Sequence, residues 1–364
     1  MPVQESVAIP ADRLRDFVAR IFSVAGCDAA EAARIGRYLV SANLAGHDSH
    51  GVIRVPRYVA WLQEGAVYPG MGLTIIREDK THAVVDGNCG FGQTIGPLAV
   101  DLGIKKAKQT GLAAIALHRA GHLGRIGDWG ERAAEAGLLS LHFVNVAGGE
   151  LTAPWGGVSR RFATNPICIT VPRAGGVPLV LDFATSRVAE GKVLVASQGG
   201  KKVPDDSLIG PDGTISGDPR LLYGEIEGTH VRDATKGKGA LRTFGEHKGS
   251  GLAFMCELLA GCLTGGATSG PMPSGPRRIT NGMLSIYIDP AHFAGAGFAQ
   301  AVEDYAAYVK AAQPASPGGE VLLPGEPEIR TREARLAGGI PLSAETWAAI
   351  CATARDLALT PPLL

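Results

Sequence analysis

A mixed α/β fold, with a central sheet between helical segments at the two ends of the chain, is what this sequence predicts. Three observations carry that expectation. Up to residue 64, apolar residues recur at three- and four-residue spacing, the period of a helix. From about residue 72, short runs rich in Val, Ile and Leu alternate with helical stretches, the pattern of strands and helices sharing one core. Past residue 297 the helical pattern returns. A chain of 364 residues with 45% hydrophobic content has ample apolar surface for such a core.

Taken in order, residues 11–25 and 28–45 read as amphipathic helices, with Asp12 and Asp28 placed as N-terminal caps. A third helix covers 52–64 and stops at Gly65. LTIIRED and THAVVDG are strands, 93–110 is an amphipathic helix, and GLAAIALH (111–118) is a strand of small apolar residues. A helix over 126–136 precedes the buried strand LLSLHFVNV (138–146). PICITVP and VPLVLDF then flank the turn RAGGV, and a helix follows over 186–197. Residues 199–245 hold many Gly, Asp and Lys with little periodicity and read as a long functional loop region. The apolar helix GSGLAFMCELLAGCL (249–263) leads to a Gly/Pro/Ser linker at 264–277 and the strand MLSIYID (283–289). A helix over 297–312, a second linker at PASPGGE and a last helix over 344–357 complete the chain, with no internal repeat.

Composition excludes several function classes. Lys+Arg and Asp+Glu are both 35, and no basic stripe stands out, so a nucleic-acid partner is not expected. The start, MPVQESVAIPADRLRDF, lacks a basic and then apolar leader, and no run of about 18 apolar residues occurs. Neither export nor a membrane is expected, and the reading is a cytoplasmic protein. The six cysteines are scattered, form no C-x-x-C pair and read as reduced, buried residues. The 50 glycines are dispersed, which points to many shaped loops.

One glycine motif invites a dinucleotide and does not meet the requirements for one. In DGNCGFGQTIG (86–96), Gly90, Gly92 and Gly96 give GxGxxxG between a strand and a helix. The Rossmann fingerprint needs GxGxxG and an acid roughly 20 positions on for the ribose hydroxyls. Here the next strand ends in Leu117, His118 and Arg119, so a conventional Rossmann domain is not supported.

Four polar clusters remain. GHDSHGVIR (46–54) sets His50 and Arg54 four apart, on one face if a helix begins near Ser49. Arginine binds a carboxylate through two parallel hydrogen bonds and histidine moves a hydroxyl proton, an apparatus for a 2-oxo or 2-hydroxy acid. A helix start capped by Asp48 or Ser49, with solvated histidines, is the structural alternative. HRAGHLGRIG (118–127) spaces His118 and His122 as metal ligands on a helix would be, but Gly121 and Gly124 favour a loop aiming one histidine into a cleft. TNP (164–166) and LDFATS (181–186) offer Asp182 either as a cap of the next helix or as the partner that orients a histidine. In GEHKGSG (245–251), His247 and Lys248 open a helix, which suits a phosphate or is merely a flexible glycine entry.

Together these stretches resemble the malate/L-lactate dehydrogenase family that is distinct from the Rossmann enzymes, a group including ureidoglycolate, sulfolactate and diketogulonate oxidoreductases and ketimine reductases. The resemblance runs almost end to end, through GHDSHGVIRVPRYVAWLQEGAV (46–67), AGHLGRIGDWGERAAEAG (120–137), APWGG (153–157), TNPICITVP (164–172), LDFATSRVAEGKV (181–193), HKGSGLAFMCELLAGCLTGG (247–266) and PGEPE (324–328). It implies a non-Rossmann, L-sulfolactate-dehydrogenase-like fold with a central mixed β-sheet that binds NAD or NADP, usually in a homodimer. The implied division is a helical segment at 1–70 carrying the histidine strip, an α/β cofactor-binding region at 71–296, and a C-terminal segment at 297–364 packing with the N-terminal helices.

The implied reaction is hydride transfer between nicotinamide and a small 2-hydroxy or 2-oxo acid. Reduction of a cyclic ketimine carboxylate is the alternative within the family. A metal-dependent hydrolase using His47, His50, His118 and His122, or a non-catalytic ligand-binding protein, lies outside it. By motif, His50 corresponds to the acid/base, with His122 sharing or steering that role and Asp182 near the catalytic histidine. Arg54, beside Ser49, corresponds to the carboxylate ligand. Thr164, Asn165 and Pro166, His247 and Lys248, and Gly325, Glu326 and Pro327 match cofactor-contacting segments. Trp155 stands where smaller aromatics are common and Val146 where a polar residue often does, so their contacts stay open.

Overall fold

The computed structural model describes residues 6–174, 176–198, 201–225, 233–234, 236–270 and 280–362. The chain opens with strand β1 (Ser6–Ile9) and helices α1 (Ala11–Val24) and α2 (Ala29–Leu44). Asp28 caps α2, accepting from the Glu31 N–H at 2.7 Å. Asp12 does not cap α1. Pro10 occupies the N-cap, and Asp12 instead pairs with Arg15 within the first turn. Helix α3 (Val55–Gln63) leads to β2 (Thr74–Glu78), β3 (His82–Asp86), α4 (Gly92–Thr110) and β4 (Leu112–Ala120). Then come α5 (Gly127–Glu135), β5 (Leu139–Ala147), β6 (Ile167–Val171), β7 (Leu179–Phe183) and α6 (Glu190–Gln198).

The stretch expected to be one long loop is more ordered than its composition suggests. It contains β8 (Leu208–Ile209), β9 (Ile215–Ser216), helix α7 (Arg220–Tyr223) and β10 (Ala240–Leu241). The three strands form a small sheet over a cluster including Val193, Leu208, Leu222 and Leu241. Elements this short have no periodicity to read. The chain continues through α8 (His247–Cys256), which runs into a π-helical turn at Glu257–Cys262, then β11 (Thr280–Ile288) and α9 (Gly297–Lys310). Helix α10 (Glu326–Gly338), β12 (Ile340–Ser343) and α11 (Ala344–Asp356) close it. Of the linker expected at 264–277, residues 271–277 lie outside those described.

Seven strands form the central mixed sheet in the order β2-β3-β4-β11-β5-β6-β7. Only β3 and β4 run parallel, and the other neighbours are antiparallel. One face packs on α4 and α5, with Val85, Ile115 and Leu117 against Ile95, Val100 and Trp129. On the opposite face the π turn buries Glu257, which accepts from Asn145 at 2.9 Å, Asn165 at 2.8 Å and the Ser269 N–H at 3.0 Å. Three donors on one carboxylate offset its loss of water.

A second core joins the two ends of the chain. Leu14, Phe17, Ile21 and Leu39 pack with Trp347, Ile350 and Ala354, while β1 pairs antiparallel with β12. Helix α9 stands apart from this core, with Ala306 its one buried residue and the Arg173–Glu303 pair (2.9 Å) fixing it to the sheet region. Five of the six free cysteines are buried. Cys262, on the π turn, is exposed, contrary to expectation. Among the described residues, no helix is long and apolar enough to cross a membrane.

Candidate active site

The strip GHDSHGVIR forms two 3-10 turns, Asp48–His50 and Val52–Arg54, with Gly51 between them. Asn43 determines this shape. Its side chain donates to Asp48 Oδ1 at 2.6 Å and accepts from the Val52 N–H at 2.8 Å, bracketing the turn. Gly51 is required there, because a Cβ would lie 2.2 Å from Asn43 Oδ1. Neither Asp48 nor Ser49 caps α3. Asp48 is bound from outside by Arg335 of α10, at 2.6 and 2.9 Å, and the Ser49 hydroxyl lies 3.1 Å from His50 Nδ1. Arg54 comes alongside not by helical phase but by folding back, its Nε donating to the Ser49 carbonyl at 2.6 Å.

His122 reaches the same place from a different element. It lies in the loop after β4, not on a helix, as the glycines around it suggested. Its ring stacks on His50, with centroids 5.6 Å apart and planes 7° from parallel. Tyr58 on α3 holds His122 Nδ1 through its hydroxyl at 2.6 Å, and the Gln93 amide donates to that hydroxyl at 3.3 Å. The glycine motif explains how the loop comes so close. A Cβ on Gly92 would lie 2.2 Å from the His122 carbonyl oxygen, and one on Gly96 2.5 Å from the Trp129 ring. Those glycines serve close packing.

Both imidazoles are neutral at ordinary pH. Burial is the main cause for His50, followed by the neighbouring His122 and the Arg54 charge, and its pKa falls well below 6.5. Burial, then Arg54, pushes His122 down to about 3. Arg54 is paired across the site with Glu190 at 3.3 Å, and the Tyr223 hydroxyl donates to the other Glu190 oxygen at 2.6 Å. Tyr58, Gln93, Glu190 and Tyr223 were not anticipated. Only Tyr58 and Glu190 fall inside family-like stretches, and no local spacing marks any of the four.

Asp182 is placed differently from the expected orienting contact. Its Oδ2 accepts from the Gly127 N–H at 2.7 Å, at the first residue of α5, and no hydrogen bond joins it to His50 or His122 among the described residues. It is a helix cap. The other histidines also separate: His118 Nδ1 lies 2.7 Å from the Thr264 carbonyl, and His47 pairs with Glu328 at 3.3 Å. No group of three or more His, Cys, Asp or Glu side chains among the described residues is placed to hold a metal ion.

Two of the expected cofactor segments converge. Thr185 donates its N–H and its hydroxyl to the Thr164 carbonyl, at 2.9 and 3.0 Å, and accepts from the Phe244 N–H at 3.1 Å. This brings Thr164, Asn165 and Pro166 next to the start of α8, where His247 and Lys248 are exposed and Trp155 meets the His247 ring at 5.7 Å. Val146 is half-buried, with Gly149 packed against it. Gly325, Glu326 and Pro327 form a separate element at the start of α10, tied to β7 by the Val180 N–H bond to the Pro324 carbonyl (3.2 Å). Glu326 is already engaged, with Lys310 at 2.6 Å and the Leu323 N–H at 2.9 Å.

The residues around Asn165 fit a nicotinamide dinucleotide. Asn165 is fully buried with φ of 33°, and its side-chain oxygen has no partner among the described residues, an acceptor suited to a carboxamide N–H. Lys248, at a helix N-terminus, suits the phosphates.

The malate/L-lactate dehydrogenase family model matches residues 9–351. The chain belongs to that family. It is 40% identical over 351 residues to the hydroxycarboxylate dehydrogenase B of Escherichia coli (strain K12), covering 96% of this chain and 94% of that protein. It is 33% identical over 341 residues to a Δ1-pyrroline-2-carboxylate/Δ1-piperideine-2-carboxylate reductase of Pseudomonas putida, covering 93% and 94%. Among solved structures, sulfolactate dehydrogenase from Methanocaldococcus jannaschii superposes with a TM-score of 0.82 at 29% identity, covering 97% and 98% of the two chains. The chain is thus a hydroxyacid oxidoreductase of the malate/lactate dehydrogenase type with the non-Rossmann fold of these enzymes.

Proposed function

We propose that the enzyme transfers hydride between NAD or NADP and a small 2-hydroxy or 2-oxo carboxylic acid at the His50–His122 pair. The observation that carries this reading is a pair of half-buried, neutral imidazoles stacked beside one guanidinium. A bound nicotinamide supplies the hydride acceptor or donor, and the chain supplies orientation and proton handling. Arg54 holds the substrate carboxylate through parallel N–H bonds. His50 takes the hydroxyl proton in oxidation, and His122, fixed by Tyr58, shares it. Rings this close hold one proton between them, because a second charge is opposed by the first. Asp182 contributes by position: as the cap of α5 it steadies the loop that presents His122.

Thr164, Asn165, Pro166, His247 and Lys248 hold the cofactor in this reading, with Gly325, Glu326 and Pro327 bordering it. The exposed Phe254 and Met255 on α8, Leu258 on the π turn, and the cross-strand pair Ile169 and Leu181 support a homodimer, testable by sedimentation. The six free cysteines support a cytoplasmic setting. The segment boundaries near 70 and 296 are part of the same proposal.

The Pseudomonas putida relative favours a second reading, reduction of a cyclic imine acid by the same carboxylate clamp. Nicotinamide consumption measured with pyruvate, oxaloacetate and a cyclic imine acid, each with both cofactors, separates the two. Turnover of a 2-oxo acid is expected. Turnover of the imine alone moves the assignment to the second reading, and none with any of them removes the first.

A further inference from the structure

Arg54 does not stand free to receive an anion. Its Nη2 lies 3.3 Å from Glu190 Oε2, and its Nε is committed to the Ser49 carbonyl. Glu190 is aimed as firmly. Its second oxygen accepts from Tyr223 at 2.6 Å, and its backbone opens α6 against the strip. The next residue leaves no room for retreat, since a Cβ on Gly191 would lie 2.2 Å from Ser49 Cβ and 3.2 Å from Arg54 Nη2. The Arg54 and Glu190 side chains are 18% and 20% exposed, so solvent screens them only partly. Beside the two neutral histidines, the Arg54 and Glu190 charges offset one another.

We propose that Glu190 is a specificity-determining residue that restricts this site to 2-hydroxy and 2-oxo acids bearing a single carboxylate. The proposal rests on the reading of Arg54 as the carboxylate anchor. A monocarboxylate shares the guanidinium with Glu190, since a guanidinium has five N–H donors. A dicarboxylate brings a second negative charge toward Glu190, and the Arg54–Glu190 pair offers no positive charge to match it. Discrimination then comes from repulsion built into the site rather than from attraction to the favoured substrate. For like charges several ångströms apart in a partly desolvated site, the expected penalty is on the order of 10-fold or more.

The test compares kcat/KM for oxaloacetate with that for 2-oxosuccinamate, which keeps the carbon skeleton but replaces the distal carboxylate by an amide. Pyruvate serves as the reference substrate. In the wild-type enzyme 2-oxosuccinamate should exceed oxaloacetate by about 10-fold or more. Glu190→Gln keeps acceptors for Tyr223 and Arg54 while removing the charge, and should bring the ratio toward one, mainly through KM for oxaloacetate. A merely structural role for Glu190 would move both substrates together and leave the ratio where it was. A wild-type ratio near one, or preference for oxaloacetate, overturns the proposal without any variant. So does an unchanged ratio in Glu190→Gln. Absence of turnover with all three compounds would instead overturn the proposed function itself.

Discussion

Replacing Tyr58 by Phe removes one oxygen from the centre of the site and nothing from its packing. The ring keeps its contacts with Phe22, Phe91 and Trp61. The lost oxygen was bound to His122 Nδ1 at 2.6 Å and to Gln93 Nε2 at 3.3 Å, with Gln93 buried and His122 half-buried. An unpaired buried polar group costs about 1–3 kcal/mol. Gln93 Nε2 keeps its bond to the His122 carbonyl at 3.3 Å, so the penalty falls on the half-buried imidazole, toward the lower half of that range. The expected loss of stability is therefore about 1–2 kcal/mol, read as a lower urea midpoint at unchanged slope. Turnover should fall further than stability implies, by roughly 10- to 100-fold, because the tautomer and tilt of His122 are no longer held. Folded protein is measured in both assays, fluorescence-monitored unfolding and steady-state nicotinamide consumption. A variant with the expected stability loss but wild-type turnover refutes the claim that His122 works through Tyr58. One with unchanged stability refutes the claim that the short bond contributes net free energy.

Three further outcomes follow from the same geometry. Arg54→Lys keeps the charge but loses the fork, so KM for a 2-oxo acid should rise about 10-fold or more with a smaller change in kcat; equal loss in both would place Arg54 elsewhere in the reaction. Gly191→Ala drives a methyl into Ser49 and should abolish most activity in a protein that still folds, checked by circular dichroism alongside kinetics. Wild-type kinetics there would show that α6 can move off the strip. His142, outside the site, lies between the Ser285 and Ser140 hydroxyls at 2.8 and 3.0 Å, and burial pushes its pKa from 6.5 to about 3. Its folded value lies below its unfolded one, so the unfolded chain binds the extra proton. Its contribution is complete above pH 6.5 and is lost toward about pH 3, at up to about 1.4 kcal/mol per pH unit. His142→Gln should flatten the acid side of the unfolding free-energy profile by that slope, and an unaltered profile would refute the assignment.

Where a residue's role depends on its neighbours in sequence, the chain was legible. The strands and the amphipathic helices of the sheet region follow from periodicity, and Asp28 caps α2 because its cap partner is three residues away. Helix α10 was missed for a physical reason. None of its residues is buried, so it has no apolar stripe, and its start is marked only by Gly325 at φ of 93° and by Pro327 in its first turn. Asp182 illustrates the same limit at the site. Sequence offered a cap of the next helix and an orienting partner as equal readings, and the structure shows neither contact among the described residues, because the carboxylate binds Gly127, which is 55 positions away. Asn43, Glu190 and Tyr223 carry ordinary local signals, and their importance arises only from what the fold brings against them.

The strip itself is best understood through charge. Burial first, and Arg54 after it, lower the proton affinity of both histidines, so the pair stands as two neutral bases. That state is ready to take a proton from a hydroxy acid. In the proposed reaction the reverse direction first needs a proton, and a carboxylate anchored on Arg54 eases its uptake by offsetting the Arg54 charge, one of the causes that oppose it after burial. Substrate binding and proton uptake are then linked through one guanidinium, already half-neutralised by Glu190. The i and i+4 spacing of His50 and Arg54 therefore mattered less as a helical face than as a way to place a cation beside an imidazole. The fold-back of Arg54 onto Ser49, the bracket from Asn43 and the pressure of Gly191 all serve that one placement.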